Sequence, residues 1–107
     1  MSEKKRLLIV EDERIVAMDL RRRLEKMGHE VVTSVARGDA ALQAVAEHMP
    51  ELVLMDIRIE GDMDGIDTAA IIHDKYHIPH IFLTAHSDQA TIDRAKKTDP
   101  DGYILKP

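Results

Sequence analysis

The sequence contains no cysteine, so it can form neither a disulfide framework nor a metal site with thiolate ligands. It has no apolar run near the roughly 20 residues of a membrane-spanning helix, and its opening MSEKKR lacks the apolar stretch of a signal peptide. The formal net charge of −5 provides no basic surface for nucleic acid. We therefore expect a cytoplasmic protein that does not enter a membrane and does not bind nucleic acid directly through this segment.

The 107 residues are enough for one domain with one hydrophobic core, but too few for two. Hydrophobic residues make up 44% of the chain and charged residues 33%, a composition that favours a compact globular protein over a disordered one. The sequence shows no internal repeat, no low-complexity tract and no linker between domains. Residues 1–107 are therefore expected to form a single domain.

Short apolar runs recur along the chain and are separated by longer segments with helical periodicity. The runs are RLLIV (6–10), EVVTSV (30–35), ELVLM (51–55), HIFL (80–83) and GYIL (102–105). The helical patterns lie at residues 16–27, 38–49, 66–76 and 88–97. The first pattern is followed by Gly28, in the position where many helices end with a left-handed residue. The sequence thus predicts five strands that alternate with four helices.

The alternation of strands and helices also predicts the fold. It implies parallel strands joined by right-handed crossovers, because each connecting helix must pack back onto the sheet. The strands should be buried on both sides, which agrees with their nearly continuous apolar character. The predicted fold is a flavodoxin-like, doubly wound α/β domain with a five-stranded parallel sheet and helices on both faces.

Polar side chains follow four of the five predicted strands. Glu11 and Asp12 follow the first strand, Asp56 the third, Thr84 the fourth and Lys106 the fifth. Each has an ordinary explanation, since Asp, Glu and Thr often lie at helix starts and a Lys after a strand is usually solvated. The carboxyl ends of parallel strands, however, open onto one crevice where ligands bind. The five side chains are therefore candidates for a single site.

The chemistry of these five side chains indicates a phosphoryl group and a metal ion. Three carboxylates in one crevice repel one another unless a cation joins them, and an all-oxygen ligand set suits Mg²⁺. Lys106 and Thr84 would hold phosphoryl oxygens as charge develops during transfer. Asp56 ends an otherwise apolar run, and we predict that its carboxylate is the nucleophile that accepts phosphate.

Five motifs, in order and over essentially the whole chain, resemble those of receiver domains of two-component response regulators. The motifs are LLIVEDE, LVLMDI, MDGID, IFLTAHSD and DGYILKP. By this resemblance Asp56 matches the phosphoacceptor, and Glu11 and Asp12 match the acidic pair that binds the metal. Thr84 matches the switch hydroxyl, and Lys106 matches the invariant-type lysine.

The resemblance also assigns roles to residues other than the five side chains at the strand ends. The backbone carbonyl of Arg58 matches the remaining protein ligand of the metal, and Tyr103 matches the switch aromatic. Arg58 and His86 resemble variable positions that tune dephosphorylation in the family. The Lys106–Pro107 bond matches one that is usually cis.

The function implied by the resemblance is that of a signalling switch and not of a turnover enzyme. The domain would take a phosphoryl group onto Asp56 from a histidine kinase or a phosphotransfer protein, with Mg²⁺ as cofactor, and lose it by hydrolysis. Two faces are candidates for a homodimer contact. One is the face of the fourth helix and fifth strand, and the other is any sheet face left bare.

The sequence departs from the family's pattern in two places. The loop in DIRIEGDMDG (56–65) lacks the usual Pro and is one residue longer before DG, so the resemblance does not imply its path or partner contacts. The sequence also ends at Pro107, where the family continues into a fifth helix. The first helix alone should not cover its face of the sheet. We therefore expect parts of the first, third and fifth strands to be bare.

Two alternative families share this nucleophile or this topology. A phosphohydrolase of the haloacid dehalogenase type also uses an Asp after a buried strand, but it needs a second Asp two residues later, where this sequence has Arg58. A flavin-binding module needs a Gly/Ser/Thr-rich phosphate loop after the first strand. The acidic segment EDE (11–13) would repel the cofactor phosphate. The residues thus favour a receiver domain over both.

Overall fold

The computed structural model describes residues 4–85 and 88–106, in which five strands alternate with four helices. The strands are β1 (Arg6–Val10), β2 (Glu30–Val35), β3 (Leu52–Asp56), β4 (His80–Thr84) and β5 (Gly102–Leu105). The helices are α1 (Arg14–Lys26), α2 (Gly38–His48), α3 (Gly65–Tyr76) and α4 (Gln89–Lys96). All the predicted strands and helices are confirmed, in the predicted order.

The helix ends follow from local side-chain and backbone chemistry. Asp64 and Asp88 precede α3 and α4, and each carboxylate accepts a hydrogen bond from the backbone N–H three residues later, as N-cap residues do. Gly28 follows α1 with φ = +93°, a left-handed conformation that a side chain with a Cβ adopts at a cost. The predicted end of the first helix is thereby confirmed.

The strands form one parallel sheet in the order β2-β1-β3-β4-β5. On one face, apolar side chains of β1, β3 and β4 pack with α2, α3 and α4 around the fully buried Phe82. On the other face, α1 packs over Ile9, Leu54 and Leu83. The flavodoxin-like, doubly wound fold with helices on both faces is confirmed.

The prediction that the α1 face would be partly bare is wrong for β1 and for most of β3. Ile9 is fully buried and Leu54 is 3% exposed, because the apolar side of α1 packs directly over these strands. Leu52, at the start of β3, is half-buried. Exposure is concentrated in β5, where Ile104 is 41% and Leu105 is 72% exposed. The expectation therefore holds for the fifth strand.

The long loop between β3 and α3 packs against the loop that leads from β2 into α2. Arg37 and Glu60 form a parallel bridge, and the Glu60 N–H donates to a carbonyl of the opposite loop at 3.2 Å. The Gly65 N–H, at the start of α3, donates to the Ile57 carbonyl at 2.7 Å. A Cβ at Gly65 would collide with the backbone carbonyl of Asp56, so only glycine lets α3 begin this close to the end of β3.

Two sequence predictions concern residues outside the described part of the chain. They are the tuning role of His86 and the cis form of the Lys106–Pro107 bond. Within the described ranges, α1 is the longest helix at 13 residues, and no helix there has both the length and the apolar character needed to cross a bilayer.

Candidate functional site

The carboxyl ends of the strands bring the predicted polar residues to one edge of the sheet. Asp56 is the last residue of β3 and Thr84 the last of β4, while Glu11 and Lys106 directly follow β1 and β5. β1 and β3 are neighbours whose following helices lie on opposite faces, which opens a crevice between their ends. The cavity there has a volume of about 420 Å³. Its lining residues are Asp12, Glu13, Asp56, Ile57, Arg58, Thr84, Ala85 and Lys106.

Three carboxylates lie together beside this cavity. Oxygen atoms of Glu11, Asp12 and Asp56 lie within 4.8 Å of one another. Glu11 is 3% and Asp56 is 5% exposed, whereas Asp12 is exposed. Burial raises the pKa of Glu11, and the contact with Asp56 adds to the shift although the Glu13 N–H opposes it. Burial and the Glu11 carboxylate also raise the pKa of Asp12. A cation bound here would offset the repulsion among the three carboxylates.

The ammonium group of Lys106 contacts three carboxylates at this edge of the sheet. Its Nζ lies 2.9 Å from Glu11 Oε1, 2.9 Å from Glu13 Oε1 and 3.2 Å from Asp56 Oδ2. The backbone N–H of Lys106 donates to the Thr84 carbonyl at 2.6 Å, which continues the pairing of β4 with β5. Burial lowers the pKa of the ammonium. The contacts with Glu11 and Glu13 and the charge of Asp56 outweigh this effect, so the pKa lies above its usual value.

The donor set fits a hard divalent cation such as Mg²⁺. Glu11, Asp12 and Asp56 all offer carboxylate oxygens, and among the described residues they are the one such group close enough to share an ion. Glu11 Oε1 is buried and lacks a hydrogen-bond donor, since Lys106 approaches it at an ion-pair distance but outside hydrogen-bond geometry. A metal ion would stabilise an oxygen in that state. Arg58, whose carbonyl is the remaining predicted ligand, lines the same cavity.

Thr84 and Tyr103, the predicted switch pair, share a second cavity next to the acidic one. Thr84 lines both cavities, and the second has a volume of about 470 Å³. The residues that line it are Ile57, Thr84, Ala85, Ile92, Lys96, Tyr103 and Leu105. Tyr103 is 43% exposed, and the centroid of its ring lies 6.1 Å from that of Phe82. Tyr103 therefore lies outside the acidic site but borders the space beside Thr84.

Sequence reasoning missed two sets of contacts. Glu13 lies 93 positions from Lys106 and pairs with it, and the only signal for this was the third acid of the EDE segment. Arg94 of α4 pairs with Asp64 at 3.0 Å and with Asp67 at 3.2 Å, which joins α4 to the start of α3. No sequence pattern predicted this second contact, because α3 and α4 are separated along the chain by β4.

Comparison with known protein families agrees with this geometry. The model of the response regulator receiver domain matches residues 7–107 of the chain. The transcriptional regulatory protein PdtaR of Mycobacterium tuberculosis is 37% identical over 103 residues, which cover 96% of this chain and 50% of that protein. KdpE of the same organism is 34% identical, with coverage of 94% and 44%. The chain thus spans about half the length of these curated relatives.

Comparison with solved structures identifies the same fold in other receiver domains. The signal receiver domain of a modulated diguanylate cyclase from Desulfovibrio desulfuricans has a TM-score of 0.93 and 37% identity, covering 98% of this chain and 83% of that one. The N-terminal receiver domain of RstA from Klebsiella pneumoniae has a TM-score of 0.85 and 28% identity, with coverage of 95% and 87%. Receiver domains are signalling modules and not typical turnover enzymes. This chain belongs to the receiver domain family of two-component response regulators.

Proposed function

We propose that this chain is a phosphorylation-dependent switch of a two-component system or phosphorelay, in which Asp56 accepts a phosphoryl group from a phosphohistidine. The donor would be a sensor histidine kinase or a phosphotransfer protein. The observation that carries the proposal is the position of Asp56. Its carboxylate ends a buried strand and borders a cavity, beside one ammonium group and two further carboxylates.

The transfer step requires a nucleophile and stabilisation of developing charge. An oxygen of Asp56 attacks the phosphorus, a P–O bond forms as the P–N bond breaks, and the imidazole nitrogen leaves with the bonding electron pair. Lys106, 3.2 Å from Asp56 Oδ2, holds positive charge next to the phosphoryl oxygens, and the Thr84 hydroxyl would donate a hydrogen bond to one of them. Attack by water later restores the carboxylate and releases phosphate.

The metal that supports this chemistry is Mg²⁺ in our proposal. Glu11, Asp12, Asp56 and the backbone carbonyl of Arg58 are the residues that would hold it. When bound there, the ion would neutralise charge on the carboxylates and on the phosphoryl oxygens. The buried carboxylate of Glu11 lies 2.9 Å from the Lys106 ammonium, so the same residue would contact both that ammonium and the metal ion.

The signal would pass from Thr84 to Tyr103. New phosphoryl oxygens on Asp56 would offer the Thr84 hydroxyl an additional hydrogen-bond acceptor. When the hydroxyl turns towards them, the second cavity offers space beside Thr84 into which the half-exposed ring of Tyr103 would move. The surface of α4 and β5 would change as a result.

The net charge and the exposed surfaces of the domain bear on its partners. The net charge of −5 supports the absence of direct nucleic-acid binding by this segment. We place the domain in the cytoplasm, where kinases of two-component systems present their phosphohistidine. The face of α4 and β5, with Tyr103 43% and Leu105 72% exposed, is a candidate contact for a homodimer.

A phosphorylation assay distinguishes this proposal from a phosphohydrolase of the haloacid dehalogenase type. With acetyl phosphate and Mg²⁺, the protein should gain the mass of one labile phosphoryl group, and EDTA should prevent the gain. It should not hydrolyse a phosphomonoester such as p-nitrophenyl phosphate over repeated turnovers. Sustained phosphomonoester turnover without a phosphorylated form of the protein would contradict the proposal.

A further inference from the structure

Glu13 is an acidic residue of the site that is neither a proposed metal ligand nor the proposed nucleophile. Its Oε1 accepts a hydrogen bond from Lys106 Nζ at 2.9 Å, while Asp56 Oδ2 accepts another at 3.2 Å. The ammonium that should contact a phosphoryl group on Asp56 is therefore already bound to a second carboxylate on the cavity wall.

The local structure of α1 does not require this side chain. Glu13 is the N-cap residue of α1, a position where Ser, Thr, Asp and Asn are preferred because their short side chains bond the free N–H groups of the first turn. The Glu13 side chain makes no such capping bond. It reaches across the cavity to Lys106 instead, so the role of its carboxylate lies in the site and not in the helix.

The three carboxylates around Lys106 differ in what it costs to release them. Glu11 and Asp56 are almost fully buried, at 3% and 5% exposed, and loss of the ammonium would leave a buried charge unpaired. The Glu13 side chain is 64% exposed, so water can solvate it once the lysine moves away. When phosphoryl oxygens accept a hydrogen bond from Lys106, Glu13 is therefore the carboxylate whose separation from the lysine costs the least free energy.

We propose that Glu13 is a positioning residue that holds Lys106 before phosphorylation and competes with the phosphoryl group for its ammonium. This inference rests on the proposed function, because it needs a phosphoryl group on Asp56. Competition lowers the rate at which the phosphoryl group is gained and weakens the hold of Lys106 on it afterwards. The strength of the Glu13–Lys106 pair thus sets how readily the domain is switched on.

The test compares Glu13→Gln and Glu13→Asp with the wild type. Glu13→Gln removes the competing charge. Glu13→Asp keeps the charge, but its shorter side chain favours capping α1 over reaching Lys106. Both variants should be phosphorylated by acetyl phosphate with Mg²⁺ about twofold to fivefold faster than the wild type, since a competing ion pair with one exposed partner is removed. Both should also bind beryllium fluoride, a phosphoryl mimic, more tightly by a similar factor.

A second readout separates competition for Lys106 from a general structural role. Mg²⁺ affinity without beryllium fluoride should stay close to the wild-type value, because Glu13 is not one of the three carboxylates placed to share an ion. The thermal unfolding midpoint should also change little, because Lys106 retains Glu11 and Asp56 as partners. If Glu13→Gln is phosphorylated faster than the wild type but Glu13→Asp is phosphorylated at the wild-type rate, net charge explains the effect and the inference is wrong. Equal or slower phosphorylation of both variants also overturns it while the proposed function stands. A wild type that gains no phosphoryl group would overturn both.

Discussion

Four carboxylates surround a single ammonium group at the carboxyl edge of the sheet. Lys106 contacts Glu11, Glu13 and Asp56, and Asp12 adds a fourth negative charge close to this group. One lysine cannot neutralise them all, and the pKa values of Glu11 and Asp12 are raised, chiefly by burial and further by the neighbouring carboxylates. Among these carboxylates, Glu11, Asp12 and Asp56 lie close enough together to share a further cation.

Asp12→Ala should weaken Mg²⁺ binding about tenfold or more, because it removes one charged ligand of a hard cation. Asp12 is exposed, so its loss should not disturb the core. Asp74→Ala is a matched control, since it removes an exposed carboxylate from the last part of α3, away from the site. Calorimetric titration measures both affinities. Equal Mg²⁺ affinity in the Asp12 variant and the wild type would mean that the metal binds elsewhere.

The residues of the site divide into those that sequence predicts and those that it does not. Glu11, Asp56 and Lys106 were predictable because each stands at the end of an apolar run, and parallel strands bring such ends together. The pairing of Glu13 with Lys106 was not predictable, since it depends on where a side chain at the start of α1 points. Tyr103 was assigned by resemblance alone, because an aromatic residue within a strand has no polar signal.

At the scale of elements, apolar periodicity was sufficient to predict the helices and strands, whereas packing was not. The extent to which α1 covers Ile9 and Leu54 depends on its angle and position over the sheet, which one sequence does not specify. The loop from residue 57 to 64 also has no regular pattern. Its bridge between Arg37 and Glu60 joins two loops that only the fold brings together.

α4 is connected to the rest of the domain by few contacts. It has eight residues, and Ala95 is its one buried residue. Arg94 pairs with Asp64 and Asp67 of the α3 start, but such exposed pairs contribute only about 0–1 kcal/mol. An element held this weakly can move when its neighbours change, which supports α4 and β5 as the responsive surface.

Phosphorylation should change the amide chemical shifts and hydrogen exchange of α4 and β5, and this change should depend on the Thr84 hydroxyl. Thr84→Ser keeps the hydroxyl and should retain most of the response. Thr84→Ala removes it and should lose most of the response even when Asp56 is fully phosphorylated. An unchanged α4–β5 surface in the phosphorylated wild type, or the same response in both variants, would contradict the Thr84–Tyr103 switch.

At the scale of the whole molecule, an apolar groove of about 450 Å³ lies between α1 and β5. Its apolar lining consists of Ile15, Val16, Met18, Leu20, Leu83, Ile104 and Leu105. Ile15 is 82% and Leu105 is 72% exposed, so this groove presents apolar surface to water at both walls. In the family's pattern a fifth helix follows the fifth strand, and we expect such a helix to pack here.

A form of the protein with a helix of about 15 residues, an ordinary helix length, added after residue 107 should therefore be more stable than the 107-residue form. Burial of the groove should raise the melting temperature by about 5 °C or more. The shorter form should either melt earlier or self-associate through the groove, which sedimentation detects. A monomeric short form with the same melting temperature would show that the groove needs no further helix.

In the proposed function, the carboxylate of Asp56 carries the phosphoryl group. Borohydride reduces an aspartyl phosphate to homoserine, so peptide mass spectrometry after reduction identifies the phosphorylated residue. We predict homoserine at position 56 in protein treated with acetyl phosphate and Mg²⁺, and none in Asp56→Asn protein treated in the same way. Homoserine at another position in the wild type, or equal phosphorylation of the Asp56→Asn protein, would contradict it.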